Sequence, residues 1–142
     1  MNIYFSCSVT GGRKDLEVYQ AIVAHLHAKG HTVPTAELAE ADVLKIEAVI
    51  DPLSVYERDV EWVEQCDAVI AEVSTPSHGV GYEIALALSL GKPVLCCYKA
   101  QQTVSKMITG NTHPTLQLFE YHSTAELLGV LDQFLTPIEK RS

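Results

Sequence analysis

The chain has 142 residues and a mass of 15.6 kDa, close to the commonest size of one domain, and we expect a single domain over residues 1–142. Its 10 Lys and Arg against 18 Asp and Glu give a formal net charge of −8, which disfavours nucleic acid and anionic membranes as partners because both attract a basic surface. Hydrophobic residues make up 47% and charged residues 20%, a balance that argues against a disordered chain.

The remaining composition indicates neither targeting nor metal chemistry. No apolar run reaches the ~18–20 residues of a membrane helix, and the first residues lack the basic segment of a signal peptide. The four cysteines show no CxxC spacing, and the six histidines show no paired ligand spacing. We therefore predict a cytoplasmic protein without a metal or other cofactor, with four reduced cysteines: Cys7, Cys66, Cys96 and Cys97.

Short apolar runs alternate with helical patterns along the whole chain. Residues 2–7 predict a strand, which a loop and a helix ending before Gly30 follow. Residues 31–33 predict a weak second strand that Pro34 stops, and residues 35–51 predict a loop with some helix. Ser54 opens a capping box for a helix to about residue 66. The later predicted strands are residues 67–73, 93–98 and 116–121, and the later helices are residues 82–90, 104–108 and a terminal helix from about residue 123.

This alternation predicts the fold class. Five strands interleaved with helices are typical of an α/β protein with a doubly wound parallel sheet, of the flavodoxin-like or Rossmann-like kind. For a chain of this length we expect the strand order 2-1-3-4-5 with right-handed crossovers. In such a sheet the ligand binds beyond the carboxyl ends of strands 1 and 3, where the strand order reverses.

Two loops rich in Gly and Ser lie at that predicted crevice, at residues 8–13 and 74–81. Each leads into a helix, whose first N–H groups and dipole favour an anion. Two such loops at one crevice point to a phosphorylated ligand. The alternative, that the glycines only form tight turns, stays open because neither loop is a GxGxxG or Walker pattern.

Three side chains near this crevice are candidates for catalysis. Asp59 lies in the apolar stripe of its predicted helix, where burial would raise its pKa and suit a proton donor, unless it caps a backbone group or pairs with Arg58 or Arg13. Glu83 is expected in the first turn of an apolar helix, where the dipole would keep it ionised as a nucleophile or base, or where it is simply an acid favourably placed at a helix N-terminus. An acid and a carboxylate nucleophile are the pair used to cleave glycosidic bonds. Tyr4 could donate a hydrogen bond to that carboxylate, or pack in the core.

The same residues belong to a pattern that resembles a known family. The matching segments are Tyr-Phe-Ser-Cys-Ser-Val-Thr-Gly-Gly-Arg at 4–13, Asp59 followed by Glu-Trp at 61–62, residues 67–73, and Pro-Ser-His-Gly-Val-Gly-Tyr-Glu at 76–83. They resemble the 2'-deoxynucleoside 5'-monophosphate N-hydrolases of the nucleoside 2-deoxyribosyltransferase superfamily. The resemblance extends over nearly the whole chain, as one nucleoside 2-deoxyribosyltransferase-like domain.

The resemblance implies a homodimer that hydrolyses the N-glycosidic bond of (2'-deoxy)nucleoside 5'-monophosphates to a free base and (deoxy)ribose 5-phosphate. Glu83 would be the nucleophile that attacks C1' and forms a glycosyl-enzyme intermediate. Asp59 would be the general acid, and Tyr4 would orient Glu83. The substrate-binding residues would be Ser8, Gly12, Arg13, Ser77, Gly79, Ser105 and Met107, with Ser105 supplied by the partner subunit.

Two alternatives remain beside hydrolysis. A nucleoside deoxyribosyltransferase would use the same carboxylate with a base instead of water as acceptor, and a non-catalytic nucleotide-binding module would not need the pair Asp59 and Glu83. The dimer has support in the residues themselves, since Val104, Met107 and Ile108 would form an exposed apolar patch typical of an interface. That segment could instead pack on its own sheet.

Overall fold

The computed structural model describes residues 1–10, 14–40, 42–43, 45 and 48–140. Within these ranges strands and helices alternate. The elements in chain order are β1 (Ile3–Ser6), α1 (Leu16–Ala28), a 3-10 turn (Ala36–Ala39), α2 (Pro52–Gln65), β2 (Ala68–Glu72), α3 (His78–Ser89), β3 (Val94–Lys99), α4 (Lys106–Thr109), β4 (Leu116–Tyr121) and α5 (Thr124–Glu139).

The sheet has four parallel strands in the order β1-β2-β3-β4. The predicted five-stranded sheet with the order 2-1-3-4-5 is therefore wrong. The segment predicted as the second strand lies beside β1 but makes a single isolated parallel bridge, between Asn2 and Thr32. Its length is limited on both sides, because Gly30 takes a positive φ of 82° and Pro34 has no N–H to donate to a ladder.

Two apolar layers enclose the sheet. Every residue of β1 and β2 is buried, so alternate side chains of each strand pack into opposite layers. One layer joins Ile3 and Phe5 of β1 to α1 and α5, and the other joins Tyr4 to α2 and α3. Ser6 follows Tyr4 by two residues and contacts α3. The side chains that face α2 and α3 are the ones that build the site.

The helix α2, which carries Asp59, begins earlier than the sequence predicts. It starts at Pro52, a residue suited to the first helical position because its missing N–H would have no partner there. Asp51 is the N-cap and accepts a hydrogen bond from Ser54 N at 3.0 Å, so the predicted cap at Ser54 is wrong.

Three general features of the chain bear on its chemistry. The four cysteines are free and buried, as the sequence predicts. Among the described residues, no helix combines the length and the apolar character needed to cross a bilayer. In the same part of the chain, no group of three or more His, Cys, Asp or Glu side chains is arranged to hold a metal ion.

Candidate active site

Glu83 lies farther along its helix than the sequence predicts. The helix α3 begins at His78 rather than Tyr82, because Ser77 is its N-cap and accepts a hydrogen bond from Val80 N at 3.4 Å. Glu83 is therefore in the second turn, and its expected position in the first turn is wrong. Because the field of a helix N-terminus falls off within the first turn, it stabilises this carboxylate only weakly.

Two side chains of β1 surround the Glu83 carboxyl group. The Ser6 hydroxyl donates a hydrogen bond to Glu83 Oε2, and both Ser6 and Tyr4 are completely buried. The Tyr4 hydroxyl makes no hydrogen bond of acceptable length and angle within the described part of the chain, yet it is near enough to interact with the carboxyl group. Ser6 was not identified as a site residue from the sequence. The alternation of side chains along a strand places residues 4 and 6 on the same face, so Tyr4 could have pointed to Ser6.

Burial dominates the electrostatics of Glu83. Loss of contact with water raises the pKa of its carboxyl group to about 7, and the nearby charge of Asp59 acts in the same direction. The hydrogen bond from Ser6, the Tyr4 hydroxyl and the positive charge of Arg58 oppose this rise. Burial, and not the helix dipole, therefore has the largest influence on the charge of Glu83, and it favours the protonated form more than the sequence predicts.

Asp59 is held by the neighbouring cation on its own helix. Its Oδ1 accepts a hydrogen bond from Arg58 Nε at 2.8 Å, and each of the two side chains is about one-fifth exposed. The Arg58 guanidinium also lies 4.8 Å from the ring centre of Trp62 and 3.4 Å from Glu37 Oε1. The pairing that the sequence left as the alternative for Asp59 therefore exists, and it favours a negative charge on Asp59.

Asp59 and Glu83 line one cavity of about 250 Å³ between α2 and α3, here named the carboxylate cavity. Two tyrosines, Tyr56 and Tyr82, also line it and are each 53% exposed, with their rings packed edge to face and the ring centroids 6.2 Å apart. The other lining residues are Val60, Val63, Gly79 and Leu86. Two ionisable carboxyl groups thus meet in a largely apolar recess, the kind of place where small-molecule ligands bind.

The predicted phosphate-binding residues are distributed around the start of α3. Ser77 lines a smaller cavity of about 230 Å³ together with Thr10, and Gly79 lines the carboxylate cavity. Ser8 is buried just beyond the end of β1. Because Ser77 and Gly79 are only two residues apart, the two cavities are neighbours. Two predicted residues lie outside the described ones: Gly12 and Arg13.

Ser105 and Met107 do not line the carboxylate cavity of their own chain. Ser105 is the N-cap of α4 and accepts a hydrogen bond from Met107 N at 3.2 Å. Both line a groove of about 520 Å³ between α4 and the start of α3, which Ser77 also lines. Met107 is 83% exposed, whereas Val104 and Ile108 are partly buried against the α3 layer. Of the three residues predicted to form an exposed apolar patch, Met107 alone is largely exposed.

Glu72, another carboxylate near the strand ends, belongs to a separate buried network. Its Oε1 accepts hydrogen bonds from Tyr121 OH, at 2.9 Å, and from the Ser74 hydroxyl. The group is completely buried, and burial raises its pKa. Because none of these three residues lines the carboxylate cavity, Glu72 stabilises the junction of β2, β3 and β4 rather than the site.

The chain is similar to a protein family and to individual known proteins. A family model described as nucleoside 2-deoxyribosyltransferase matches residues 3–126. The 5-hydroxymethyl-dUMP N-hydrolase of Rattus norvegicus is 37% identical over 138 residues, which cover 94% of this chain and 83% of the relative. The 5-hydroxymethyl-dUMP N-hydrolase of Danio rerio is 33% identical over 143 residues, covering 99% of both chains.

A solved structure supports the fold. The CMP N-glycosidase of Clostridium botulinum matches with a TM-score of 0.73 at 20% identity, over 95% of this chain and 100% of that one. The family resemblance predicted from the motifs is confirmed by the relatives and by the extent of the family match. The chain belongs to the nucleoside 2-deoxyribosyltransferase family.

Proposed function

We propose that the chain is an N-glycosidase that hydrolyses the bond between base and sugar in (2'-deoxy)nucleoside 5'-monophosphates. The observation that carries the proposal is the meeting of Asp59 and Glu83 in one cavity, because glycosidic bonds are cleaved by two carboxyl groups that flank them. The names of the rat and zebrafish relatives, which are nucleotide N-hydrolases, support the same chemistry. The products are a free base and (deoxy)ribose 5-phosphate.

Glu83 is the nucleophile in this proposal. Its carboxylate attacks C1', the C1'–N bond breaks, and the electron pair leaves with the base, which takes a proton from Asp59. Water then attacks C1', the bond between C1' and Glu83 breaks, and the Asp59 carboxylate takes a proton from that water. Such a double displacement requires the two carboxyl groups to be ~5–5.5 Å apart when substrate is bound.

The two carboxyl groups need one proton between them at the start of the reaction. Because the pKa of Glu83 is about 7 and Asp59 is paired with Arg58, Glu83 holds that proton in much of the free protein. The reacting form has the proton on Asp59 and the charge on Glu83. We therefore expect kcat/KM to rise at acid pH, as the pair loses the first of its two protons, and to fall above about pH 7, where neither carboxyl group holds a proton.

The start of α3 holds the 5'-phosphate in this proposal. Its first N–H groups and the hydroxyls of Ser8 and Ser77 supply donors, and the cavity that Ser77 lines adjoins the carboxylate cavity. Gly79 lies between the two cavities, since a Cβ at this position would be in ordinary contact with both Glu83 Oε1 and Ser77 Oγ, at 3.9 Å from each. The resemblance assigns two further residues to the phosphate site, Gly12 and Arg13, which lie outside the described residues.

The functional unit we propose is a homodimer with shared sites. Ser105 and Met107 line a groove apart from the carboxylate cavity of their own chain, and Met107 is 83% exposed. A two-fold axis would bring both residues to the partner's site. The Ser105 oxygen accepts a bond from Met107 N, which leaves the hydroxyl proton for donation to a phosphate oxygen.

The proposed enzyme acts on free nucleotides in the cytoplasm. Its four free cysteines fit a reducing compartment. The net charge of −8 disfavours nucleic acid or a membrane as a partner. The mechanism assigns no step to a cofactor, because the two carboxyl groups supply both the nucleophile and the acid.

Base release from a panel of nucleosides and their 5'-monophosphates, separated by HPLC, tests the function. We expect free base from monophosphates with the wild type and none with Glu83→Gln. The matched control is Glu64→Gln, since Glu64 is exposed on α2 and does not line the carboxylate cavity. Transfer of the sugar to an added second base would instead identify a transferase, and binding without base release would identify a nucleotide-binding module.

The covalent intermediate has its own test. Acid quenching during turnover, followed by digestion and mass spectrometry, should find the sugar phosphate on the peptide that contains Glu83. A sugar phosphate attached to the Asp59 peptide would reverse the two roles. Turnover without any adduct, combined with inverted configuration of the product, would contradict double displacement.

A further inference from the structure

The hydrogen bond between Ser6 and Glu83 joins two buried groups from distant parts of the chain. Ser6 is the last residue of β1, completely buried, and its strand position is fixed by the parallel pairing of Ser6 with Ala71 of β2. Its hydroxyl donates to Oε2 of Glu83. A strand thus holds one oxygen of a carboxylate that a helix supplies.

The second oxygen of Glu83 faces a different neighbour. A Cβ built on Gly79 would lie 3.9 Å from Oε1, and Gly79 lines the carboxylate cavity whereas Ser6 does not. Oε2 is therefore the oxygen turned toward the strand, and Oε1 is the oxygen turned toward the cavity.

We propose that Ser6 is a positioning residue that binds Oε2 of Glu83 and so directs Oε1 as the attacking oxygen toward C1' of the substrate. The inference rests on the proposed function. A hydroxyl has a single proton, so a Ser6 that donates to Glu83 favours the charged carboxylate over the protonated acid. Ser6 therefore fixes both the orientation of the nucleophile and the form in which it reacts.

The charged and titratable groups around Glu83 come from two elements. Tyr4 and Ser6 face it from β1, and Asp59 and Arg58 face it from α2. Burial and Asp59 raise the pKa of Glu83, whereas Ser6, Tyr4 and Arg58 lower it. Removing the Ser6 hydroxyl takes away one of the opposing influences, so the pKa of Glu83 must rise further above about 7.

The test is the pH profile of kcat/KM for Ser6→Ala. We expect the alkaline limb, where kcat/KM falls with rising pH, to move upward by about one pH unit, the size of effect of one charge-assisted hydrogen bond. Since less of the protein then has its proton on Asp59, activity at pH 6 should fall about tenfold more than activity at pH 9. Ser6→Cys, which keeps the size but donates weakly, should move the limb in the same direction by less. A merely structural role would lower activity equally at all pH values.

Ser74→Ala is the matched control, because it removes a buried Ser–Glu hydrogen bond of the same kind outside the carboxylate cavity. It should lower stability and leave the alkaline limb where the wild type has it. Carbon NMR of the protein with labelled glutamate carboxyl carbons, assigned with Glu83→Gln, reads the titration of Glu83 without turnover. If the wild type releases no base, the proposed function fails, and the NMR titration still tests Ser6. An unchanged Glu83 titration in folded Ser6→Ala and Ser6→Cys would overturn the role of Ser6.

Discussion

Glu83→Gln should make the protein inactive and, at alkaline pH, more stable. In the wild type, burial raises the pKa of Glu83 from 4.5 to about 7, so the native state binds this proton more tightly than the unfolded state does. The stability that the bound proton contributes is complete below pH 4.5 and is lost as the pH rises through about 7. The interval of about 2.5 pH units, at 1.36 kcal/mol each, corresponds to about 3 kcal/mol.

Glutamine keeps the neutral form at every pH, so the gain in the free energy of unfolding should itself depend on pH. We expect Glu83→Gln to exceed the wild type by up to about 3 kcal/mol at pH 8 and to lie within about 1 kcal/mol of it at pH 5. Urea unfolding followed by the fluorescence of Trp62, the single tryptophan, measures both proteins between pH 5 and pH 8. Glu64→Gln, at an exposed position on α2, should give a curve parallel to the wild type.

The reasoning would be refuted by wild-type and Glu83→Gln curves that run parallel across this pH range. Parallel curves would mean that Glu83 has the same affinity for its proton in the native and unfolded states. Retained base release by a folded Glu83→Gln would separately contradict its role as the nucleophile. The two measurements are independent, because stability depends on the burial of the carboxyl group and turnover depends on its charge.

Three further outcomes are expected. Asp59→Asn should lower kcat by about 10²- to 10⁴-fold and abolish the decline of activity at high pH, both measured by base release, and a profile that still declines would remove Asp59 as the acid. Free nucleosides should react with a kcat/KM more than ~100-fold below that of their 5'-monophosphates, because several charge-assisted hydrogen bonds are lost together; equal values in the same assay would exclude a phosphate site at α3. Inactive Glu83→Gln mixed with Ser105→Ala should regain sites that contain both native residues, and an active monomer in sedimentation would contradict shared sites.

The start of α3 shows where local patterns mislead. Gly79 and Gly81 have low helix propensity, so the sequence predicts a loop before Tyr82, yet the structure continues the helix back to His78. Ser77 makes this possible as an N-cap. The change moves Glu83 out of the first turn and removes the electrostatic reason for expecting it to be ionised.

The second predicted strand shows that an apolar run is not sufficient to form a strand. Residues 31–33 have the right composition and lie beside β1, but a strand also needs consecutive donors and acceptors in register with a neighbour. Between Gly30 and Pro34 the chain provides backbone donors and acceptors for a single bridge, at Thr32. Pairing depends on tertiary register, which short segments specify poorly.

The sequence by itself determined the alternation of strands and helices, the four buried cysteines, the family, and the two acids whose side chains meet in the carboxylate cavity. These follow from local periodicity and motif spacing, which are properties of neighbouring residues. Only the tertiary structure decided the number of strands, the hydrogen bond between Ser6 and Glu83 across 77 positions, and the raised pKa of Glu83. Burial and long-range contacts decide these features, because a group's loss of water depends on every element packed around it and not on its place in the chain.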